Sequence, residues 1–271
     1  MLCLRALPFS PPSFSRSFSP SKHLLHLKPS SSSIKQFSHS SPSNYSIKMS
    51  TQTIEHIVLF KVKDDTDPSK VNAMVNGLGG LHSLDQVLHL KVGPILRTRS
   101  SSFNFTHMLH SRYKSKDDLN AYSAHPDHVG VVKGSVLPIC EDILAVDWVA
   151  EDLQGGGLVP PPGSAMRVSF LKLKENLGDE VKNEILGVIR GIKDNFEQIR
   201  QLTYGENFSP ARAKGFSIAS IAIFPGLSDL EAVDSNEELV NLQKEKVREH
   251  LEGVLVVDYL VPSSQAQSAS L

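Results

Sequence analysis

Three observations predict an α+β protein of two tandem ferredoxin-like domains, each βαββαβ, whose sheets pair as in a dimeric α/β barrel. First, the chain repeats itself. Residues 54–63 (IEHIVLFKVK) return as 165–174 (AMRVSFLKLK), 111 positions later. The same offset carries Asp118-Leu119 onto Asp229-Leu230 and Val146-Asp147-Trp148 onto Val257-Asp258-Tyr259, so one register without an insertion aligns three landmarks of a duplicated domain. Second, each copy reads as strand, helix, two strands, helix, strand. Third, Ile57-Val58-Leu59-Phe60 and Ile143-Leu144-Ala145-Val146 are apolar on both faces. Two helices cover one face of a sheet; the other face needs a second sheet.

The elements follow in order. Residues 54–63 form the first strand, and a helix starts near Pro68, a residue suited to a first helical turn. Leu78-Gly79-Gly80 is too short for a phosphate cradle and ends that helix. A second strand spans about 86–93, and a third, with an aromatic and β-branched start, spans 103–113. A helical region over 116–137 breaks at His125-Pro126, and 143–149 is the last strand. Glycines 155–157 and prolines 160–162 mark a linker. The expected organisation is a leader over 1–50, a first domain over 51–153, a linker over 154–163, a second domain over 164–262 and a polar tail over 263–271.

Composition narrows the function. The chain has 271 residues and a net charge of -1, so no global field favours nucleic acid or an anionic membrane. No apolar run is long enough to span a bilayer. Two cysteines exclude a disulfide framework and suit a reducing compartment. The first fifty residues are rich in Ser and Pro and carry basic residues, and no acidic residue precedes Glu55, the composition of an organelle (chloroplast) transit peptide. Met49 offers a second start. Ala269-Ser270-Leu271 has the small–x–Leu form of a peroxisomal signal without its central lysine.

Four polar residues of the first copy stand out: His56 and His107 in strands, and Tyr122 and His128 beside the helix break. Their equivalents in the second copy are Arg167, Ile218, Val233 and Leu239. The framework persists while these residues do not, which separates them from purely structural positions. A histidine transfers protons near neutral pH, and a tyrosine hydroxyl bonds a carbonyl or a developing enolate. Taken singly, each has a plainer reading as a core histidine or a helix breaker. His110 alternates with His107 and is assigned no role. No nucleophile motif, cofactor fingerprint or zinc-finger spacing is present.

The strand Glu55-His56-Ile57-Val58-Leu59-Phe60-Lys61, the Thr106-His107 strand and above all His125-Pro126-Asp127-His128-Val129 resemble the stress-response A/B barrel domain family of plants and bacteria. The resemblance covers residues 54–262 and implies a ferredoxin-like domain that pairs into a barrel. One relative is a plant polyketide cyclase that performs an aldol condensation without a cofactor. Carried over, Tyr122 and His128 become an acid–base pair, and His56 and His107 shape the pocket. Other relatives hold magnesium through backbone carbonyls after the first helix, here Leu81, Leu84 and Val87. The resemblance also gives weight to a peroxisomal reading of Ala269-Ser270-Leu271, alongside a chloroplast reading of the leader.

Three functions are open at this point: a stress-induced protein binding a small hydrophobic molecule in the first domain, a cofactor-independent acid–base enzyme of the cyclase type, and a structural or protective protein. Domain pairing within one chain and a homodimer are both open.

Overall fold

The computed structural model describes residues 52–100, 102–150, 153 and 157–262. The leader, the polar tail and most of the glycine stretch of the linker lie outside the described residues.

The first half runs β1 (Thr53–Val62), α1 (Pro68–Gly80), β2 (His89–Pro94), β3 (Arg97–Arg99), β4 (His107–Tyr113), α2 (Lys116–Ala124), α3 (Pro126–Val131) and β5 (Cys140–Ala150). The second runs β6 (Ala165–Leu173), α4 (Asp179–Arg190), α5 (Ile192–Asn195), β7 (Gln201–Glu206), β8 (Ile218–Phe224), α6 (Leu227–Ser235), α7 (Glu237–Arg248) and β9 (Leu251–Leu260). Local chemistry sets the helix ends. Asp67 caps α1 by accepting from the Ser69 amide at 2.7 Å, with Pro68 in the first turn. Ser115 caps α2 through the Asp118 amide at 3.1 Å, and Asp117 and Asp118 suit the positive end of the helix dipole. Pro126 forces His125 out of the helical region, to φ -60 and ψ 134, which splits α2 from α3 at the expected dipeptide.

The strands form two antiparallel sheets, β2-β4-β1-β5 and β3-β9-β6-β8-β7. Alternate residues of β1 face opposite ways. Ile57 and Leu59 meet the second sheet's Val168, Phe170 and Val257 in one core, while Ile54 and Phe60 meet Met74, Leu78 and Tyr122 under the helices. The two-faced strands are therefore sealed as expected, sheet against sheet, within a single chain. Each fully buried large apolar side chain contributes roughly 1.5–3 kcal/mol.

The barrel differs from the expectation in one respect: its two sheets stay separate and do not close into a ring of strands. Each half instead sends the segment after its second strand to the last strand of the other. Leu96 donates its amide to Asp258 O at 2.9 Å, followed by the β3–β9 ladder, and Phe208 donates to Asp147 O at 3.0 Å. The single register also needs correction. His89 pairs with Arg112 and Gln201 with Ile223, so β2 and β7 are related by 112 positions while β4 and β8 keep 111. One residue gained before β7 is lost again before β8. In this register Gly93 matches Gly205. A Cβ on Gly93 would lie 3.3 Å from the Tyr259 hydroxyl, and one on Gly205 3.0 Å from Trp148 Cδ1. The aromatic ring on each last strand thus occupies the space left by a glycine of the other half.

Candidate functional site

The helix-side face of the first sheet gathers three of the four expected residues. His56 lies on β1 on the side of Ile54, Val58 and Phe60, Tyr122 lies in the last turn of α2, and His128 sits in the first turn of α3. The rings form a chain. Tyr122 and His128 have centroids 4.6 Å apart, Tyr122 and Tyr113 5.2 Å, and Tyr113 and His56 6.2 Å. The break at His125 turns α3 so that His128 folds back over Tyr122, and His128 Nδ1–H donates to Ser123 O at 3.0 Å.

His107 does not join them. It pairs with Phe60, whereas His56 pairs with Ser111, four residues further along β4. Four strand residues span roughly 13 Å. His107 Nδ1 bonds Thr106 Oγ1 at 2.9 Å instead. Two open grooves, of about 490 and 1110 Å3, run beside β2 and β7, and neither is lined by His56, Tyr122 or His128. Tyr122 is packed between His128 and Tyr113, and Tyr113 in turn meets His56.

The sequence reading missed two members. Asp147 faces His56 across β1 and β5, and its Oδ1 accepts from His56 Nδ1. Tyr113, fully buried, bonds the Ser111 hydroxyl at 2.9 Å and packs its ring on that of Tyr122. Asp147 carried a usable signal, since its Val-Asp-aromatic context is one of the repeated landmarks. Tyr113 is an aromatic in an aromatic strand and carried none.

The second half completes this surface. Asn207 Oδ1 accepts from the Asp147 amide at 3.1 Å and the Ser209 amide at 3.0 Å. Ser209 stands close enough to the Asp147 carboxylate to favour its charged form. Phe208 packs into the first half's helix-side core, with Lys116 Nζ 4.1 Å from its ring centre.

Electrostatics sort the groups into roles. Burial raises the Asp147 pKa, but the charge and bond of His56 and the nearby Ser209 hydroxyl outweigh it and hold the carboxyl below its ordinary value. Burial, aided by the nearby charges of His56, Arg212 and His125, pulls His128 below the ordinary histidine value. A neutral His128 with its proton on Nδ1, fixed by Ser123 O, keeps the Nε2 lone pair available as a base. Burial pushes Tyr122 up to about 12, so its hydroxyl stays protonated and donates.

The equivalent place in the second half is filled differently. Arg167 Nε bonds Asp258 at 2.8 Å and Arg167 Nη1 bonds Asp234 at 2.7 Å. Arg97 and Arg99 of the β3 arm pair with the same two carboxylates. Arg–Asp pairs hold their charge across the range in which histidine titrates.

The carbonyls expected to hold magnesium belong to one turn. Leu81 O accepts from the Leu84 amide at 3.2 Å and Leu84 O from the Val87 amide at 2.9 Å. Each of these two oxygens retains one lone pair, a donor type that suits a hard cation. Among the described residues, no group of three or more His, Cys, Asp or Glu is placed to hold a metal. No described helix is long and apolar enough to cross a membrane.

Comparison with known proteins matches this architecture. Residues 54–150 and 166–261 each match the family described as Stress responsive A/B Barrel Domain. A stress-response A/B barrel domain-containing protein of Arabidopsis thaliana is 59% identical over 221 residues, 82% of this chain and 83% of that protein. A second protein of the same description from the same plant is 52% identical over 213 residues, 78% of this chain and 98% of that protein. A putative monooxygenase structure from Fusobacterium nucleatum covers 79% of this chain and 94% of its own with a TM-score of 0.56 and 13% identity, a likeness of fold alone. With both halves matched and two relatives above half identity, the chain belongs to the stress-responsive A/B barrel domain family.

Proposed function

We propose that the first half binds a small hydrophobic molecule beside His56, Tyr122 and His128, with Tyr122 and His128 meeting a polar group such as a carbonyl. One observation carries this reading. The ring cluster with its His56–Asp147 pair stands in the first half alone, while the equivalent place in the second is closed by permanent Arg–Asp pairs. A cluster kept only for packing has no need of an imidazole whose Nδ1–H is fixed on Ser123 O beside a protonated phenol. Access requires α3 to move off Tyr122, and α3 contains no fully buried residue.

A thermal-shift screen with alkylphenols and aryl ketones tests the proposal, because a ligand of the folded state raises stability by mass action. The expected result is a rise in Tm that is lost in His128→Ala and Tyr122→Phe and kept in His107→Ala. No rise with any compound, or a rise unaffected by the first two substitutions, favours the structural or protective reading. The free Nε2 of His128 beside a protonated phenol also supports a second reading, a cyclase-like acid–base enzyme that needs no cofactor. Turnover of a linear polyketide thioester, abolished in His128→Ala, is its test.

We further propose a structural magnesium ion on the carbonyls of Leu81, Leu84 and Val87, tested by a magnesium-dependent rise in Tm. Dual targeting is part of the same proposal, with a plastid form made from Met1 and a peroxisomal form from Met49. An N-terminal fluorescent fusion of the Met49 form that stays diffuse in the cytosol counts against the peroxisomal half.

A further inference from the structure

The face of the first sheet that meets the second carries a second polar cluster, apart from the ring chain. Glu55, His110 and Arg112 are fully buried there. Glu55 Oε1 accepts from Arg112 Nη2 at 2.9 Å and from Thr203 Oγ1 of the second half at 2.9 Å, and Oε2 bonds His110 Nε2 at 2.7 Å. Arg112 Nη2 also donates to Gln201 Oε1 of the second half at 2.8 Å, and Nη1 to Leu158 O of the linker at 2.8 Å.

Duplication supplies the comparison that gives this cluster meaning. In the second half, Glu55, His110 and Arg112 are replaced by Met166, Ile221 and Ile223. By strand register, the first-half equivalents of Gln201 and Thr203 are His89 and Lys91. If two first halves met in the same way, Lys91 would replace Thr203 against Glu55, and His89 would replace Gln201 against Arg112. Each end would then bury one carboxylate with a guanidinium, an ammonium and imidazoles. If two second halves met, Gln201 and Thr203 would face Ile223 and Met166 with no partner. Both arrangements leave buried polar or charged groups uncompensated. Unlike halves alone pair the Glu55 carboxylate and the Arg112 guanidinium with Thr203 and Gln201, leaving only His89 Nε2 and His110 Nδ1 without a partner in this cluster.

We propose that Glu55, His110 and Arg112, read by Gln201 and Thr203, form a pairing key that commits the first half to a second half and rejects pairing between like halves of separate copies. The Leu158 carbonyl, delivered by the linker, biases the choice to the second half of the same chain. The key works by penalising wrong partners as much as by rewarding the right one.

The test uses full chains carrying one of two N-terminal tags and a protease site inserted between Leu153 and Gly157. Both are unfolded together, refolded and cut, and one tag is captured. Chains mixed without unfolding report any association through other surfaces, which is subtracted. The expected wild-type capture contains second halves and no first halves of the other tag. Replacing the key by its second-half counterparts, in the triple variant Glu55→Met, His110→Ile, Arg112→Ile, raises capture of the other tag at least tenfold. Other-tag first halves captured in the wild type, or unchanged selectivity in the triple variant, overturns the proposal. If the triple variant does not refold, Thr203→Lys decides, because it leaves the first half intact. Recovery of second halves after cutting is expected to fall at least tenfold, and unchanged recovery overturns the key.

Discussion

His56 and Arg167 occupy equivalent positions on the central strands of the two halves, and each bonds the equivalent aspartate of its last strand, Asp147 or Asp258. The two pairs have different surroundings. Asp147 has His56 and Ser209, whereas Asp258 receives Arg167 together with Arg97 and Arg99 from the other half's arm. The duplication kept the geometry and changed the chemistry, making one place an imidazole–carboxylate pair and the other a guanidinium clamp.

Energetics follow from that difference. The Asp258 side chain is 1% exposed, so removing Arg167 leaves a buried carboxylate supported only by the arm. Arg167→Ala is expected to cost about 3 kcal/mol or more, the cost of breaking a buried pair from one side. His56→Ala leaves the Asp147 side chain, 9% exposed, more water than Asp258 has, and is expected to cost less. Urea denaturation midpoints of the two variants against the parent chain check the order, and a larger loss for His56→Ala contradicts it.

Stability is expected to fall in two stages on acidification. Burial first, then the charges of His110 and Arg112, take His89 from 6.5 to about 2, so it stays neutral in the fold. A folded value below the unfolded one stabilises fully above pH 6.5 and less as pH falls toward the folded value. His107, His110 and His128 are shifted in the same direction. The carboxyls of Glu55, Asp147, Asp234 and Asp258 are also held low, but their contribution is lost only below their ordinary values of 4.5 and 3.8. Between pH 6 and 5 the histidines therefore act alone. His89, whose folded value lies well below that window, adds a slope of about 1.4 kcal/mol per pH unit there, and the other three add to it in the same direction. Unfolding midpoints at pH 7, 6 and 5 are expected to decline, and His89→Gln to remove about one such slope. A flat profile to pH 5 contradicts the assignment.

Most of the architecture was legible because it rests on period-two patterns and on the repeat. Ile57 and Leu59 against Val58 and Phe60 told that both faces of β1 are covered. His125-Pro126 gave the helix break. Three things were not legible for identifiable reasons. The β3 arm, Arg97-Thr98-Arg99, has no apolar alternation, because its partners are the backbone of β9 and two carboxylates of the other half. The shift between β2 and β7 was hidden because the inserted residue is cancelled before β8. His107 shares a face with Ser111 and Tyr113, but parity says nothing about distance along a strand, and the register with His56 decided that. Glu55 read as a polar position on a strand, although its alternation with Ile57 and Leu59 already placed it on the inter-sheet face.

The arm of the second half is expected to be an energetic part of the first. Phe208 fills space in the helix-side core under Lys116, and the adjoining Asn207 holds the Asp147 amide. Phe208→Ala removes a half-buried ring, and the cost is expected to be about 1–3 kcal/mol, below that of a fully buried phenylalanine. Because the lost contact lies at the seam, hydrogen exchange should speed up at the Asp147 amide and along α2 more than along α4. Uniform acceleration across both halves would instead mean that the seam has no local role.

Gly205 offers a sharp test of how closely the halves fit. A Cβ there would lie 3.0 Å from both Trp148 Cδ1 and the Val149 carbonyl oxygen, and the latter is backbone that cannot turn aside. Trp148 is fully buried and packed on the inter-sheet core, so it has little room to yield. Gly205→Ala is expected to destabilise by about 1–3 kcal/mol through overpacking. At the matched position, Gly93→Ala meets the Tyr259 hydroxyl at 3.3 Å, a milder contact with a side-chain tip, and is expected to cost less. Gly80→Ala is the internal reference: it lies at the end of α1, its Cβ meets nothing within 4 Å, and it is expected to be neutral or to stabilise by up to about 1 kcal/mol. The order Gly205, Gly93, Gly80 in urea midpoints follows from contact distance alone. If Gly205→Ala proves as stable as Gly80→Ala, the seam is looser than the packing of Trp148 requires, and the intimate pairing of the two sheets loses its support.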